Sequence, residues 1–204
     1  MRYRSGLFAS VWCFIALSTA AAQKSTTVGP VVGLNISTFG GADADNAESR
    51  TAFLVGGFAA FQLSPRFLLE PSLLYTQKGA DVDIEDARGT LKLTYIQVPL
   101  LGRYRLSSGK TVPNLVLGPA VAFKTGCNAS GSAGAIEINV DCAEADVPIA
   151  STEFSLIGGV GLEVSSFMFS LRYDYGLTAV PSEGDAKVYN RTISLVGQYG
   201  FRLK

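Results

Sequence analysis

From about residue 27 onward, apolar and polar side chains alternate along the chain with a period of two. That is the signature of strands with one apolar face and one polar face. Eight such segments can be drawn, at 27–38, 51–64, 66–78, 91–106, 113–125, 152–165, 167–178 and 191–203. In the third, Phe67, Leu69, Pro71, Leu73 and Tyr75 oppose Glu70, Ser72, Thr76 and Lys78. In the fourth, Ile96, Val98, Leu100 and Tyr104 alternate with Gln97, Arg103 and Arg105. In the seventh, Phe167, Phe169, Leu171, Tyr173 and Tyr175 oppose Ser170, Arg172 and Asp174. The eighth sets Ile193, Leu195, Tyr199, Phe201 and Leu203 against Thr192, Ser194, Gln198 and Arg202. Wherever a strand carries two charges they share a face, and the apolar rows read as free of charge. A Lys or Arg on the lipid side of a membrane barrel costs roughly 2–4 kcal/mol at mid-depth, which accounts for such rows.

The connections alternate too. Those near 39–50, 79–90, 126–151 and 179–190 are long and polar, whereas 64–66, 107–112 and 165–166 are short. Long loops at one end and tight turns at the other match an outer-membrane barrel. The expected fold is therefore all-β: an eight-stranded antiparallel up-and-down transmembrane β-barrel over 23–204. Alternation alone does not say which row faces inward. A soluble lipocalin-like barrel, with the apolar rows inside around a lipid, is the rival. Mixed charge signs and aromatic row ends (Phe61, Phe67, Tyr75, Tyr104, Tyr175, Tyr199) favour the membrane. The interior charge set expected on that reading is Glu70, Lys78, Arg103, Arg105, Lys124, Glu153, Glu163, Arg172, Asp174 and Arg202.

The first 22 residues read as an export signal: Arg2 and Arg4, an apolar run from Leu7 to Leu17, then Ala20-Ala21-Ala22 before Gln23. The run is shorter than the ~20 residues of a membrane span. A lipoprotein signal at Cys13 is disfavoured by bulky Trp12 just before it. Removing the signal leaves Cys127 and Cys142, an even pair that favours a disulfide in an exported chain.

Composition narrows the chemistry. Hydrophobic residues make up 48% and charged residues 17%, too apolar for disorder. The formal net charge is zero, so no nucleic-acid partner is indicated. The sequence has no His, which excludes a Ser-His-Asp/Glu site and removes the commonest metal ligand. No enzyme activity and no cofactor are expected. Asp81-Val82-Asp83-Ile84-Glu85-Asp86 lacks the glycine and distal Glu of a calcium loop and reads as a solvated acidic segment. Acidic outer loops could share bridging divalent cations with lipopolysaccharide phosphates. An eight-stranded barrel is just wide enough for its own side chains, so long residues inside predict a plugged lumen.

Two runs carry a family resemblance: Leu69-Glu70-Pro71-Ser72-Leu73-Leu74-Tyr75-Thr76-Gln77-Lys78-Gly79, and Leu93-Thr94-Tyr95-Ile96-Gln97-Val98-Pro99-Leu100-Leu101-Gly102-Arg103-Tyr104. Leu117-Gly118-Pro119 and Arg172-Tyr173-Asp174-Tyr175-Gly176-Leu177 add to it. Together they resemble the PorT-like outer-membrane β-barrel family of Bacteroidota. The resemblance implies a small barrel in the bacterial outer membrane. It also implies outer-membrane lipid, lipopolysaccharide and the barrel-assembly machinery as partners. A structural or surface-interaction role through the outer loops is one expectation; an accessory part in protein secretion, with an extracellular or secretion-system partner, is another.

Overall fold

A computed structural model describes residues 25–44, 47–84, 87–133, 136–142, 148–181 and 187–203. The expected signal at 1–22 lies outside the described residues. The strands are β1 (Thr26–Gly40), β2 (Ala47–Gln62), β3 (Phe67–Ile84), β4 (Ala87–Arg105), β5 (Thr111–Ala133), β6 (Ile136–Asp141), β7 (Thr152–Val164), β8 (Phe167–Ala179), β9 (Tyr189–Tyr199) and β10 (Phe201–Leu203). Each barrel strand pairs antiparallel with the next, and β1 closes the sheet by pairing with β9 and β10. β9 and β10 lie in one register on β1 and form a single barrel strand interrupted at Gly200. β6 stands off this path and pairs β5 alone. The result is a closed eight-stranded barrel, the expected fold.

Closure decides which row is inside. Val32, Leu34, Ile36, Leu73, Leu117, Leu156, Leu171 and Leu195 are all more than 45% exposed. Glu70, Lys78, Arg103, Arg172 and Asp174 are buried. The register joins Phe53, Leu34, Leu195, Leu171, Val160 and Leu115 into a continuous apolar belt across six strands. At the lower rim Tyr199 meets Phe167 and Phe201 edge-on, with ring centroids 5.0 and 4.8 Å apart. Such a wall matches a hydrocarbon band with an aromatic girdle.

Local sequence explains the irregularities. Pro71 has no N–H to donate, and β2–β3 pairing passes from Phe58↔Ser72 to Phe61↔Leu69 without it. Near Pro99 and Pro119 the β4–β5 register pauses between Pro99↔Ala120 and Gly102↔Leu117. There Gly118 approaches the Leu100 carbonyl so closely that a Cβ would collide with it. Glycine thus allows the two backbones to approach closely where the prolines interrupt the ladder.

Two expectations need correction. The stretches 79–90 and 126–151 are not simply long loops. β3 and β4 stay paired as far as Ile84↔Ala87, and β5 pairs both β4 and β6 up to Ala133. Alternation in fact persists in Asp81-Val82-Asp83-Ile84 and Ile136-Glu137-Ile138-Asn139-Val140-Asp141, but acidic residues and a Gly/Ser/Ala run between them give these stretches the look of loops. Also, charges do fall on outward rows: half-buried Lys92 alternates with Leu91 and Leu93, which pack in the interior. Arg191 alternates with buried Asn190 and Thr192 and is half-buried on the outer surface.

Candidate functional site: the barrel interior

The bore holds its charges in tiers. At the lower mouth Arg105 donates to Glu163 through Nε (3.0 Å) and Nη2 (2.8 Å), a fork-to-fork pair about one-fifth exposed. These two residues line a vestibule of about 490 Å³ floored by Ala60, Leu68, Val112 and Met168. Arg202 lines the same vestibule and is exposed, so it belongs to the rim and not to the packed interior.

The next tier centres on Glu70. Its Oε2 accepts from Arg103 Nε (3.0 Å) and Nη2 (2.5 Å), and its Oε1 accepts from Arg172 Nη2 (3.3 Å) and Gln198 Nε2 (2.9 Å). Arg103 also donates to Asn114 Oδ1 (3.0 Å) and Gln198 Oε1 (2.9 Å). Arg172 Nε donates to Ser170 Oγ at 2.9 Å. Glu70 and Arg103 are both 0% exposed. Gly161 makes room for this arrangement, since a Cβ there would meet Asn114 Oδ1 at 2.6 Å.

Above it lies a second cluster of opposite balance. Lys78 Nζ donates to Glu153 Oε1 (2.6 Å) and Asp174 Oδ2 (2.8 Å). Gln97 Nε2 donates to the same Asp174 oxygen at 2.8 Å, and Asn190 Nδ2 donates to Glu153 Oε2. One acid with two guanidiniums below, and one ammonium with two carboxylates above, leave the six charges balanced as a set. Burying charges is costly unless they are paired and hydrogen-bonded, and the arrangement meets that condition.

An apolar cap closes the outer end. Leu93, Tyr95, Ala122, Cys127, Cys142 and Val180 pack together inside, with Phe39, Ile149 and Val188 against them. The Cys127–Cys142 disulfide belongs to this cap, with a Cα–Cα distance of 5.4 Å. The sequence suggests a tie in a loop without a core pattern; instead the sulfurs are buried where β5 and β6 leave the barrel. Lys124 is half-buried near this level and donates to the Ile149 carbonyl at 2.6 Å, a backbone partner rather than a carboxylate.

Several polar residues here carry no charge and went unmarked in the sequence: Asn35, Asn114 and Asn190, together with the roles of Gln97 and Gln198. Their signal is parity, since each shares the inward row of its own strand. Asn35 donates to Thr76 Oγ1 and the Gln77 carbonyl, both at 2.8 Å, and its Oδ1 accepts from Ser194. Outside, Arg191 stacks over the Tyr175 ring at 3.6 Å and donates to the Gly176 (2.7 Å) and Asn190 (2.9 Å) carbonyls. Tyr189 lies beside it at 5.4 Å. A guanidinium anchored on tyrosines is typical of the membrane–water boundary. Among the described residues no cluster of acids, cysteines and histidines could hold a metal ion.

Residues 21–180 match the family model described as outer membrane protein beta-barrel domain. The chain belongs to that family. The protein is thus an outer-membrane β-barrel. No curated protein matches the chain. Among solved structures it is similar to Ail, the attachment invasion locus protein of Yersinia pestis, at 15% identity and TM-score 0.45, covering 86% of this chain and 98% of that one. It is also similar to OprG from Pseudomonas aeruginosa, at 13% identity and TM-score 0.48, covering 88% of this chain and 94% of that one. Neisserial surface protein A gives 12% identity and TM-score 0.45, covering 87% and 97%.

Proposed function

We propose that this protein is a non-enzymatic barrel with a sealed lumen, acting as a structural or surface-interaction module through its outer rim. The observation that carries this reading is the set of side chains packed in the bore. Two charge clusters and an apolar cap stand in series along the bore, and Glu70 and Arg103 are fully shielded from solvent. On this reading a sealed barrel presents its surfaces as the working parts. The outer rim offers the β3–β4 hairpin and the β5–β6 arm, the latter fixed at its foot by the disulfide.

The signal at 1–22, cleaved near Ala22, delivers the chain through the periplasm, and the barrel-assembly machinery inserts it. Its apolar belt then meets membrane lipid, and lipopolysaccharide surrounds the outer rim. The motifs around Tyr75, Ile96–Tyr104 and Arg172–Leu177 support placement in the PorT-like branch and a source in Bacteroidota. An extracellular or secretion-system protein is the partner class for the rim. A soluble lipid carrier is disfavoured, because the centre holds ion pairs where a lipid chain would lie.

Planar-bilayer recording tests the sealed lumen: purified protein should insert without steady conductance. Reproducible single-channel steps would overturn it. Deleting the gene in its host and comparing secreted proteins tests the accessory reading; an unchanged secreted set leaves the surface module, and lost cargo favours the secretion role.

A further inference from the structure

Between the two charge clusters lies a small cavity of about 20 Å³, lined by Asn35, Thr76, Lys78, Gln97, Asp174, Thr192 and Ser194 among others. The seven named residues are all buried. Two of them carry oxygens without a protein partner: Asp174 Oδ1 and Thr192 Oγ1. They are register partners across β8 and β9, so their side chains project inward side by side. Asp174 already uses its other oxygen, Oδ2, for Lys78 and Gln97. Leaving a buried carboxylate oxygen and a neighbouring hydroxyl both unbonded is costly, and two acceptor-bearing groups this close call for a shared donor.

We propose that this cavity is a binding site for one internal water molecule that bridges Asp174 Oδ1 and Thr192 Oγ1. Size, charge and valence each select water. A cavity needs roughly 10–15 Å³ on this measure to hold a water, so there is room for one and not for an organic ligand. Lys78 and Arg172 both line the cavity, which disfavours a cation; the Asp174 carboxylate disfavours an anion. A water has two donors, one for the carboxylate and one for the hydroxyl, and keeps its lone pairs for a further donor in the wall.

The bridge has a structural consequence. The upper cluster ties β3, β4, β7, β8 and β9 together through Lys78, Gln97, Glu153, Asp174 and Asn190. A separate neutral ladder runs Ser194–Asn35–Thr76 from β9 over β1 to β3. Both border the cavity. Water at Thr192 adds a second tie, beside Asn190, from the charged cluster to β9, the strand that carries the ladder on to β1.

The test uses the full mature barrel in micelles or nanodiscs. Thr192→Val keeps the shape and removes the hydroxyl. If the hydroxyl were a true orphan, the variant would match or exceed the parent in thermal midpoint. The bridged site predicts a lower midpoint by several degrees, and a parent-like midpoint for Thr192→Ser. Water-selective NMR on the parent gives an independent readout. A long-lived water contact at Thr192 and Asp174 is expected, and it should disappear in Thr192→Val. A midpoint unchanged or raised in Thr192→Val would overturn the site. So would the lack of a slow water contact in the parent, which still decides the matter if the variant fails to fold.

Discussion

Glu70→Gln is the sharpest perturbation of the interior. The substitution keeps volume and shape but removes one negative charge. In the parent, Glu70 accepts four hydrogen bonds from Arg103, Arg172 and Gln198, and it is 0% exposed. Without it two buried guanidiniums face each other with no counter-ion in their tier, and one amide N–H points at a cation. Breaking a buried pair in this way costs about 3–5 kcal/mol, a large share of the ~5–15 kcal/mol that holds a typical domain folded. With a urea slope of about 2 kcal/mol per molar, the unfolding midpoint should fall by roughly 2 M. The triple variant Glu70→Leu, Arg103→Met, Arg172→Met removes all three charges and should lose far less, because it leaves no uncompensated ion. The assay is urea unfolding into and out of lipid vesicles, followed by Trp-free tyrosine emission and by gel mobility without heating. A Glu70→Gln midpoint within about 0.5 M of the parent, or a triple variant weaker than the single, would refute the argument that this cluster is a coupled ionic unit.

Other outcomes follow from the same structure. Leu195→Arg places a cation in the outward belt between Leu34 and Leu171 and should cost about 2–4 kcal/mol at mid-depth, seen in the same vesicle unfolding assay. Ser165 closes the β7–β8 turn with φ 58°, a region that glycine enters without strain, so Ser165→Gly should raise stability by about 0.5–1 kcal/mol. Replacing both Cys127 and Cys142 by Ser releases a 15-residue tie, worth at most ~3 kcal/mol in the chain-entropy model. Protease nicking between 128 and 141 should increase, while heat-modifiable mobility of the barrel should persist.

How much of this was legible in the sequence depends on where a residue sits relative to the membrane. Between the rims, each side chain faces either lipid or the bore, so parity alone assigned Glu70, Arg103, Arg172 and Asp174 to one face. What parity could not supply is which charge meets which. Lys78 finds Glu153 and Asp174, 75 and 96 residues away, only because barrel closure sets those strands across the bore from it. The upper hairpins escaped because their apolar positions are few and small and alternate with acids, as in Asp81-Val82-Asp83-Ile84, or sit beside a Gly/Ser/Ala run, as in 129–135. Arg191 escaped because it begins its segment at the boundary, where a row need no longer be apolar, and because its stacking on Tyr175 is a cross-strand contact. The cap around the disulfide was hidden because its members come from β1, β4, β5 and the segments beyond them, each contributing only a few apolar residues.

The central claim is the direction of the rows, and spin-label accessibility in bilayers tests it most directly. Single cysteines at Leu171 and Leu195, in a background lacking Cys127 and Cys142, should carry labels that collide readily with dissolved oxygen and hardly with a polar nickel chelate. Labels at Ser170 and Ser194, one residue away on each strand, should be shielded from oxygen by the packed interior. The inverse result, with Leu171 and Leu195 shielded from both reagents and the serine sites open to the nickel chelate, would contradict the account.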